Sequence, residues 1–283
     1  MGLVGESGCG KTTLARVLAR LYRPTGGEIF FAGEDVLALT GASLLRYRRR
    51  VQMIFPDPSG ALNPRMTAEE IVAEPLLIHK NAAGWDEALA GARELLQAVA
   101  VPYFKWREHP GQFSLGQLQR VCLARAMVLE PELLICDEPV SALDVSTRGW
   151  ILNLFKRWQR EKQLSFLFIS HDLAAVRFVC DRTMVMYAGK IVEINRTDGL
   201  FRRPAHPYTG VLAAATLLPD PALRNKRMVV PAGETGSCCL LTGCKFFLRC
   251  AHAGPVCAVE EPALLELGEG HFAACHFPFS CGK

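Results

Sequence analysis

The chain has 283 residues, half of them hydrophobic and 21% charged, which suits an α/β domain of about 200 residues with an appendage and excludes a disordered chain. Its formal net charge of +4 is too mild to demand nucleic acid, and its longest apolar stretches, such as residues 211–218, fall far short of the roughly 18 residues of a membrane span. No basic and apolar leader precedes the first glycine-rich loop, so a soluble protein is expected.

In chain order, residues 2–4 read as the end of a buried strand and run into Gly5-Glu6-Ser7-Gly8-Cys9-Gly10-Lys11-Thr12-Thr13. Leu14, Val17, Leu18 and Leu21 recur at helical spacing and predict a helix over 12–21. Pro24, Gly26 and Gly27 end it, and 28–32 reads as a strand. The basic run from Arg46 to Arg50, with Tyr47 inside it, reads as a solvated face. Residues from about 56 to 120 change character, with proline-rich starts and helical patterns such as 85–99. From 121 to 194 a helix, a strand at 133–136, a helix at 148–163 and a strand at 165–170 alternate, which argues for a parallel sheet with covering helices. Beyond 203 come proline-bearing turns and a tail that holds seven of the eleven cysteines.

The Gly5–Thr12 segment fits G-x-x-x-x-G-K-[ST], with a strand before it and a helix after it. Its glycines let backbone N–H groups close round phosphates, and the helix N-terminus adds a favourable dipole. Lys11 is expected to reach the β- and γ-phosphates of ATP, and the Thr12 hydroxyl to sit on Mg²⁺. Downstream, the strand at 133–136 ends in Asp137 and Glu138. Ligands of open parallel sheets bind beyond the carboxyl ends of the strands, so Asp137 is expected to hold Mg²⁺ through water and Glu138 to polarise the attacking water. A chance glycine turn, and two acids that only cap the next helix, are the plainer explanations. The agreement of motif and flanking elements weighs against both.

Phe113-Ser114-Leu115-Gly116-Gln117-Leu118-Gln119-Arg120 resembles the LSGGQ signature of ATP-binding cassette (ABC) ATPases. Ser141-Ala142-Leu143-Asp144 resembles that family's D-loop, and Ser170-His171-Asp172 its switch histidine. Lys11 to Ser114 spans 103 positions, Ser114 to Asp137 spans 23 and Glu138 to His171 spans 33, as in the family. Asp57-Pro58, Leu62 to Thr67 and His206-Pro207-Tyr208-Thr209 resemble the dipeptide and oligopeptide importer subfamily, and the tail resembles its C-terminal extension. The resemblance implies a RecA-like P-loop NTPase fold over 1–203, with an inserted helical subdomain at about 56–120, and a cysteine-rich extension over 204–283. It also implies an ATPase at the cytoplasmic face of a membrane. That ATPase pairs head to tail with a second cassette, like or unlike itself, beneath two transmembrane permease subunits served by an extracytoplasmic binding protein. Ser114, Gly116 and Gln117 would then face the partner's ATP, and His171 the γ-phosphate.

Three features depart from the family. The chain starts four residues before the phosphate loop, without the upstream strands and the adenine-stacking aromatic, as a fragment would. Pro56 stands where the Q-loop carries glutamine, and it has neither an amide nor a backbone N–H. Leu115 replaces the first signature glycine and Phe113 the usual leucine. Pro56 and the missing front strands make a degenerate regulatory subunit the first competing function; a soluble cassette protein of translation or DNA repair is a second, opposed by the single cassette and its transporter-type tail.

In the tail, Cys244, Cys250, Cys257 and Cys275 are spaced C-x5-C-x6-C-x17-C in a segment with little apolar periodicity, so something other than a core is expected to hold it. A reducing compartment disfavours disulfides, and the intervals are wider than zinc's usual C-x2-4-C pairs. An iron–sulfur cluster takes thiolates at varied spacing, and the resemblance implies a [4Fe–4S] cluster on these four residues. Four reduced structural cysteines remain the plainer alternative. Cys238, Cys239 and Cys281 have no assigned role.

Overall fold

The computed structural model describes residues 1–215 and 242–279; Cys238, Cys239 and Cys281 lie outside them. In chain order the elements are β1 (Gly2–Val4), α1 (Lys11–Leu18), β2 (Phe30–Phe31), β3 (Glu34–Asp35), α2 (Gly41–Arg50) and β4 (Val51–Ile54). Next come α3 (Pro58–Ala61), α4 (Ala68–Ile78), α5 (Trp85–Ala98), α6 (Leu115–Met127), β5 (Leu133–Asp137), α7 (Val145–Glu161) and β6 (Ser165–Ile169). The chain continues with α8 (Leu173–Val179), β7 (Arg182–Tyr187), β8 (Lys190–Arg196), α9 (Thr197–Arg202), α10 (Pro207–Ala215), α11 (Val256–Val259), β9 (Leu265–Gly268) and β10 (His271–Ala273). The described residues form two compact units, one drawn from residues 1–11 and from 168 onward, the other of residues 12–167.

In the first unit β1 is a central strand. It pairs in parallel with the end of β6 (Leu3↔Ile169) and with β7 (Leu3↔Met184). Leu3 and Val4 are fully buried, as expected of a parallel strand covered on both faces. Gly2 is needed there because a Cβ would press on Val176 and Thr183. Beyond β7 the sheet turns antiparallel through β8, β10 and β9, so the parallel sheet expected from the alternation is a mixed one.

The tail departs from expectation in a second way. Instead of lacking means to pack, it adds β10 to the edge of β8 and buries Phe246 against Tyr187, Tyr208 and His206. Glu193, fully buried, ties these parts together: its carboxylate accepts the backbone N–H groups of Ala205 and His206, both at 2.8 Å, and faces His271 Nε2 at 2.9 Å. A buried carboxylate is tolerated because three donors replace its water.

In the second unit β4 and β5 pair in parallel, Ile54 opposite Cys136. Helices α4, α5 and α6 pack on one another and form the expected helical insertion. Thr67 and Glu70 make a capping box at the start of α4. Buried Glu69 on that helix is neutralised by Arg93 at 2.8 Å and Arg107 at 3.5 Å. Helix α1 stops at Leu18, short of the expected Leu21, where Arg20 turns left-handed at φ 56°. Only Phe30–Phe31 of the strand expected at 28–32 finds a ladder, in a hairpin closed by Ala32 and Gly33, both at positive φ. Helix α7 begins at Val145 rather than 148 because Asp144 caps it, accepting from the N–H groups of Ser146 and Thr147. Among the described residues no helix is long and apolar enough to cross a membrane.

Candidate functional site

The phosphate loop follows directly from β1 and ends on the first turn of α1. Gly5 is required because a Cβ would collide with the Met186 carbonyl of β7, and Gly10 because φ is 107° there. Lys11 is buried, and its ammonium donates to the carbonyls of Gly5 (2.7 Å) and Glu6 (2.9 Å) and lies 3.8 Å from Cys9 Sγ. The lysine thus spans the loop that would cradle the phosphates. Cys9 is buried beneath it, while Ser7 and Gly8 are exposed at the tip. Thr12 and Thr13 follow Lys11 in the first turn of α1, Thr13 exposed. His171 follows β6 and is exposed. Because β6 runs parallel beside β1, His171 and the phosphate loop leave the sheet at the same edge. Asp172 fixes this turn by capping α8, its carboxylate accepting from Ala174 and Ala175 N–H.

Two residues from far along the chain brace the loop, and no motif assigned either of them this role. The Tyr208 hydroxyl accepts the Glu6 backbone N–H at 2.8 Å. Arg249, in the cysteine-rich tail, forks onto the Glu6 carboxylate with two bonds of 2.8 and 2.9 Å. They lie 202 and 243 positions from Glu6. The only hint in the sequence was His206-Pro207-Tyr208-Thr209, read as a subfamily mark without a role.

The acidic strand end belongs to the other unit. Asp137 closes β5 and is buried. Glu138 follows at φ 52°, a left-handed backbone that costs a non-glycine residue on the order of 1 kcal/mol and is concentrated at functional sites. The turn is held by Ser141, whose hydroxyl donates to the Glu138 carbonyl at 3.1 Å. Since β4 runs parallel to β5 in this register, Phe55 and Pro56 leave the sheet at the same edge as Asp137 and Glu138. Pro56 is exposed there, just ahead of Asp57, which caps α3.

In the same unit the signature and D-loop line one cavity of about 420 Å³, shared by Ser114, Gly116, Gln117, Arg120, Asp144 and Thr147. Ser114 caps α6: its hydroxyl accepts the Gln117 N–H at 3.4 Å, and the Gln117 side chain accepts the Ser114 N–H at 3.1 Å. Gly116 packs tightly, since a Cβ would sit 3.0 Å from Thr147 Cγ2 on the first turn of α7 and that side chain would have to give way. Leu115 is 36% exposed, so the residue that replaces the first signature glycine is accommodated within the chain. Hydrogen bonds from Ser146 and Thr147 hold the Asp144 carboxyl far below the usual carboxylate range, so this loop keeps a negative charge at any working pH.

The four tail cysteines are free thiols. Burial pushes Cys244 and Cys250 up and Cys275 up to about 11, and Cys275 senses the charges of the other three. Cys244 donates its N–H to the Cys257 carbonyl at 2.9 Å. The donor set suits thiolate ligation chemically. Among the described residues, however, no three His, Cys, Asp or Glu side chains are grouped to hold a metal ion.

The ABC transporter family model matches residues 1–141, and the oligopeptide/dipeptide transporter C-terminal region matches residues 192–257. The putative oligopeptide transport ATP-binding protein YkfD of Bacillus subtilis is 47% identical over 97% of this chain and 84% of its own length. The oligopeptide transport ATP-binding protein OppF of Salmonella typhimurium is 43% identical over 96% of this chain and 81% of its own. Among solved structures, a dimeric post-hydrolysis state of the ATP-binding cassette MJ0796, bound to ADP and Pi, superposes with a TM-score of 0.64 at 29% identity, over 69% of this chain and 84% of that one. A P-loop cassette joined to this kind of C-terminal region leads to one assignment: the chain belongs to the ABC ATPase family, among the ATP-binding proteins of oligopeptide and dipeptide transporters.

Proposed function

We propose that this chain hydrolyses ATP to drive import of dipeptides and oligopeptides. The observation that carries the reading is the phosphate loop itself, with Lys11 drawn across it at the head of α1. Gly5 to Gly10 supply backbone N–H groups, Lys11 the positive charge for the β- and γ-phosphates, Thr12 and Asp137 the Mg²⁺ ligation and Thr13 a flanking hydroxyl. Glu138 accepts the proton of the attacking water, and His171 contacts the γ-phosphate. Ser114, Gly116 and Gln117 complete the site of a second cassette across a head-to-tail pair.

The cassette covers residues 1–203 and the transporter-type extension begins at 204. The chain works peripherally at the cytoplasmic face of the membrane, with a second ATPase subunit and two permease subunits. An extracytoplasmic binding protein delivers substrate, and no nucleic acid takes part. In this reading Cys244, Cys250, Cys257 and Cys275 hold a structural [4Fe–4S] cluster, which would have to draw together side chains that are not grouped for a metal among the described residues. Anaerobically purified protein is then brown with about four irons per chain; a colourless preparation whose tail is ordered refutes the cluster. For the function, the chain is reconstituted with its permease and partner subunits in vesicles. Peptide-loaded binding protein should stimulate hydrolysis several-fold, and no stimulation by any peptide would refute the peptide assignment.

A further inference from the structure

Glu6 is held at three points. Its N–H goes to Tyr208, its carbonyl accepts from Lys11, and its carboxylate meets the Arg249 fork. The fork is well sheltered, with the Arg249 side chain 12% exposed and that of Glu6 29%. Arg249 is seated on an aromatic floor: its guanidinium lies 5.7 Å from the ring centres of both Tyr187 and Phe246, and a further bond reaches the Tyr187 hydroxyl at 3.4 Å. Tyr208 packs on the same floor, 4.6 Å from Tyr187 and 5.4 Å from Phe246. Phe246 and Arg249 lie between Cys244 and Cys250, so the segment carrying two tail thiols is the segment that grips the phosphate loop.

We propose that Arg249 is a positioning residue for ATP binding, through which the cysteine-rich tail and the phosphate loop are coupled. The proposal rests on the phosphate loop being the nucleotide site. Two physical effects act together. The fork and the Tyr208 bond fix the loop from behind at Glu6, so that the loop's other N–H groups are presented to phosphate in a set geometry. The guanidinium also neutralises a carboxylate that would otherwise stand beside an incoming polyanion. When phosphate arrives, Lys11 exchanges the Gly5 and Glu6 carbonyls for phosphate oxygens. Glu6 then keeps only the local Cys9 N–H bond to its carbonyl (3.3 Å) besides Tyr208 and Arg249, so the tail's grip matters most in the loaded state. Linkage makes the effect reciprocal: bound nucleotide tightens the tail by the factor by which the tail tightens nucleotide.

The test is a double-mutant cycle on Mg-ATP affinity in the full chain, with Arg249→Ala, Glu6→Gln and their combination. Arg249→Ala should weaken affinity about tenfold, within the usual range of coupling between sites. Adding Glu6→Gln should recover most of that loss, because no bare carboxylate remains. Arg249→Lys, which keeps the charge but loses the fork, should fall between parent and alanine. It also serves as the informative variant if Arg249→Ala fails to fold. In hydrogen exchange, Mg-AMP-PNP should slow the 244–250 backbone in the parent and leave it unchanged in Glu6→Gln. Additive losses in the cycle, or equal protection of 244–250 with and without Glu6, would overturn the coupling. Lys11→Ala separates the two levels: if it leaves affinity intact, the site assignment is wrong. If it removes affinity while the cycle is additive, only the coupling is wrong.

Discussion

The phosphate loop and the signature loop are both short, glycine-bearing turns at the head of a helix, yet they are held in opposite ways. The signature is fixed by its neighbours in sequence, since Ser114 and Gln117 satisfy each other three residues apart. The phosphate loop, besides the Lys11 bonds to its own carbonyls, is fixed by residues some 200 positions away, Tyr208 and Arg249. Ser114 also faces an open cavity, whereas Lys11 is buried and already bonded within its loop. The difference teaches that one loop takes its shape from a local motif, while the other is also held by contacts with the C-terminal region.

The largest expected effect tests the phosphate loop. Lys11→Ala removes both the charge proposed for phosphate and the bonds to the Gly5 and Glu6 carbonyls. It should cost on the order of 4 kcal/mol in transition-state stabilisation, with weakened ATP binding measured by titration calorimetry. Parent-like affinity would break the comparison at its stronger end.

The next effect tests the distant brace through pH. Burial pushes His206 down to about 4, and its Nδ1 accepts the Tyr208 N–H at 3.0 Å, which requires a neutral ring. The unfolded chain takes up this proton as pH falls through the ordinary histidine value near 6.5, whereas the folded chain takes it up only near 4. Stability is therefore fully present above pH 6.5 and declines towards pH 4, by on the order of 3 kcal/mol. His206→Asn keeps an acceptor for the Tyr208 N–H but cannot titrate. Urea unfolding across this range should give a flatter pH profile for the variant than for the parent, and equal slopes would contradict the assignment.

A smaller effect is expected at the locally held loop. Ser114→Ala should lose about 1 kcal/mol of helix-cap stability and lower hydrolysis by the paired cassettes. Ser114→Thr, which can also cap, should keep the stability. The smallest effect is at Pro56. Pro56→Gln should raise ATPase stimulated by the membrane subunits a few-fold and basal ATPase less, because the residue leaves the sheet beside Asp137 and is exposed. Unchanged stimulated activity would show that the proline is tolerated.

What could be read from the residues follows the same division. The phosphate loop, the strand ending in Asp137, the helix at 85–98 and the Ser114 turn were readable because each is a contiguous pattern whose period or caps lie within a few residues. The start of α7 was missed by three residues because the Asp144 cap had been read only as part of a motif. The antiparallel end of the sheet escaped because β9 is exposed along its whole length and carries no buried face to betray it. Arg249 was unreadable in principle: an arginine among cysteines gives no sign of a carboxylate 243 positions away.

The most direct measurement of the catalytic assignment is steady-state hydrolysis and ATP-dependent pairing of Glu138→Gln beside the parent. The substitution keeps the shape of a residue whose left-handed backbone the turn already enforces, and it removes the carboxylate proposed to accept the proton from water. Hydrolysis should fall by about 10²-fold or more, while ATP still binds and still drives pairing. Hydrolysis at the parent rate would contradict Glu138 as the catalytic base.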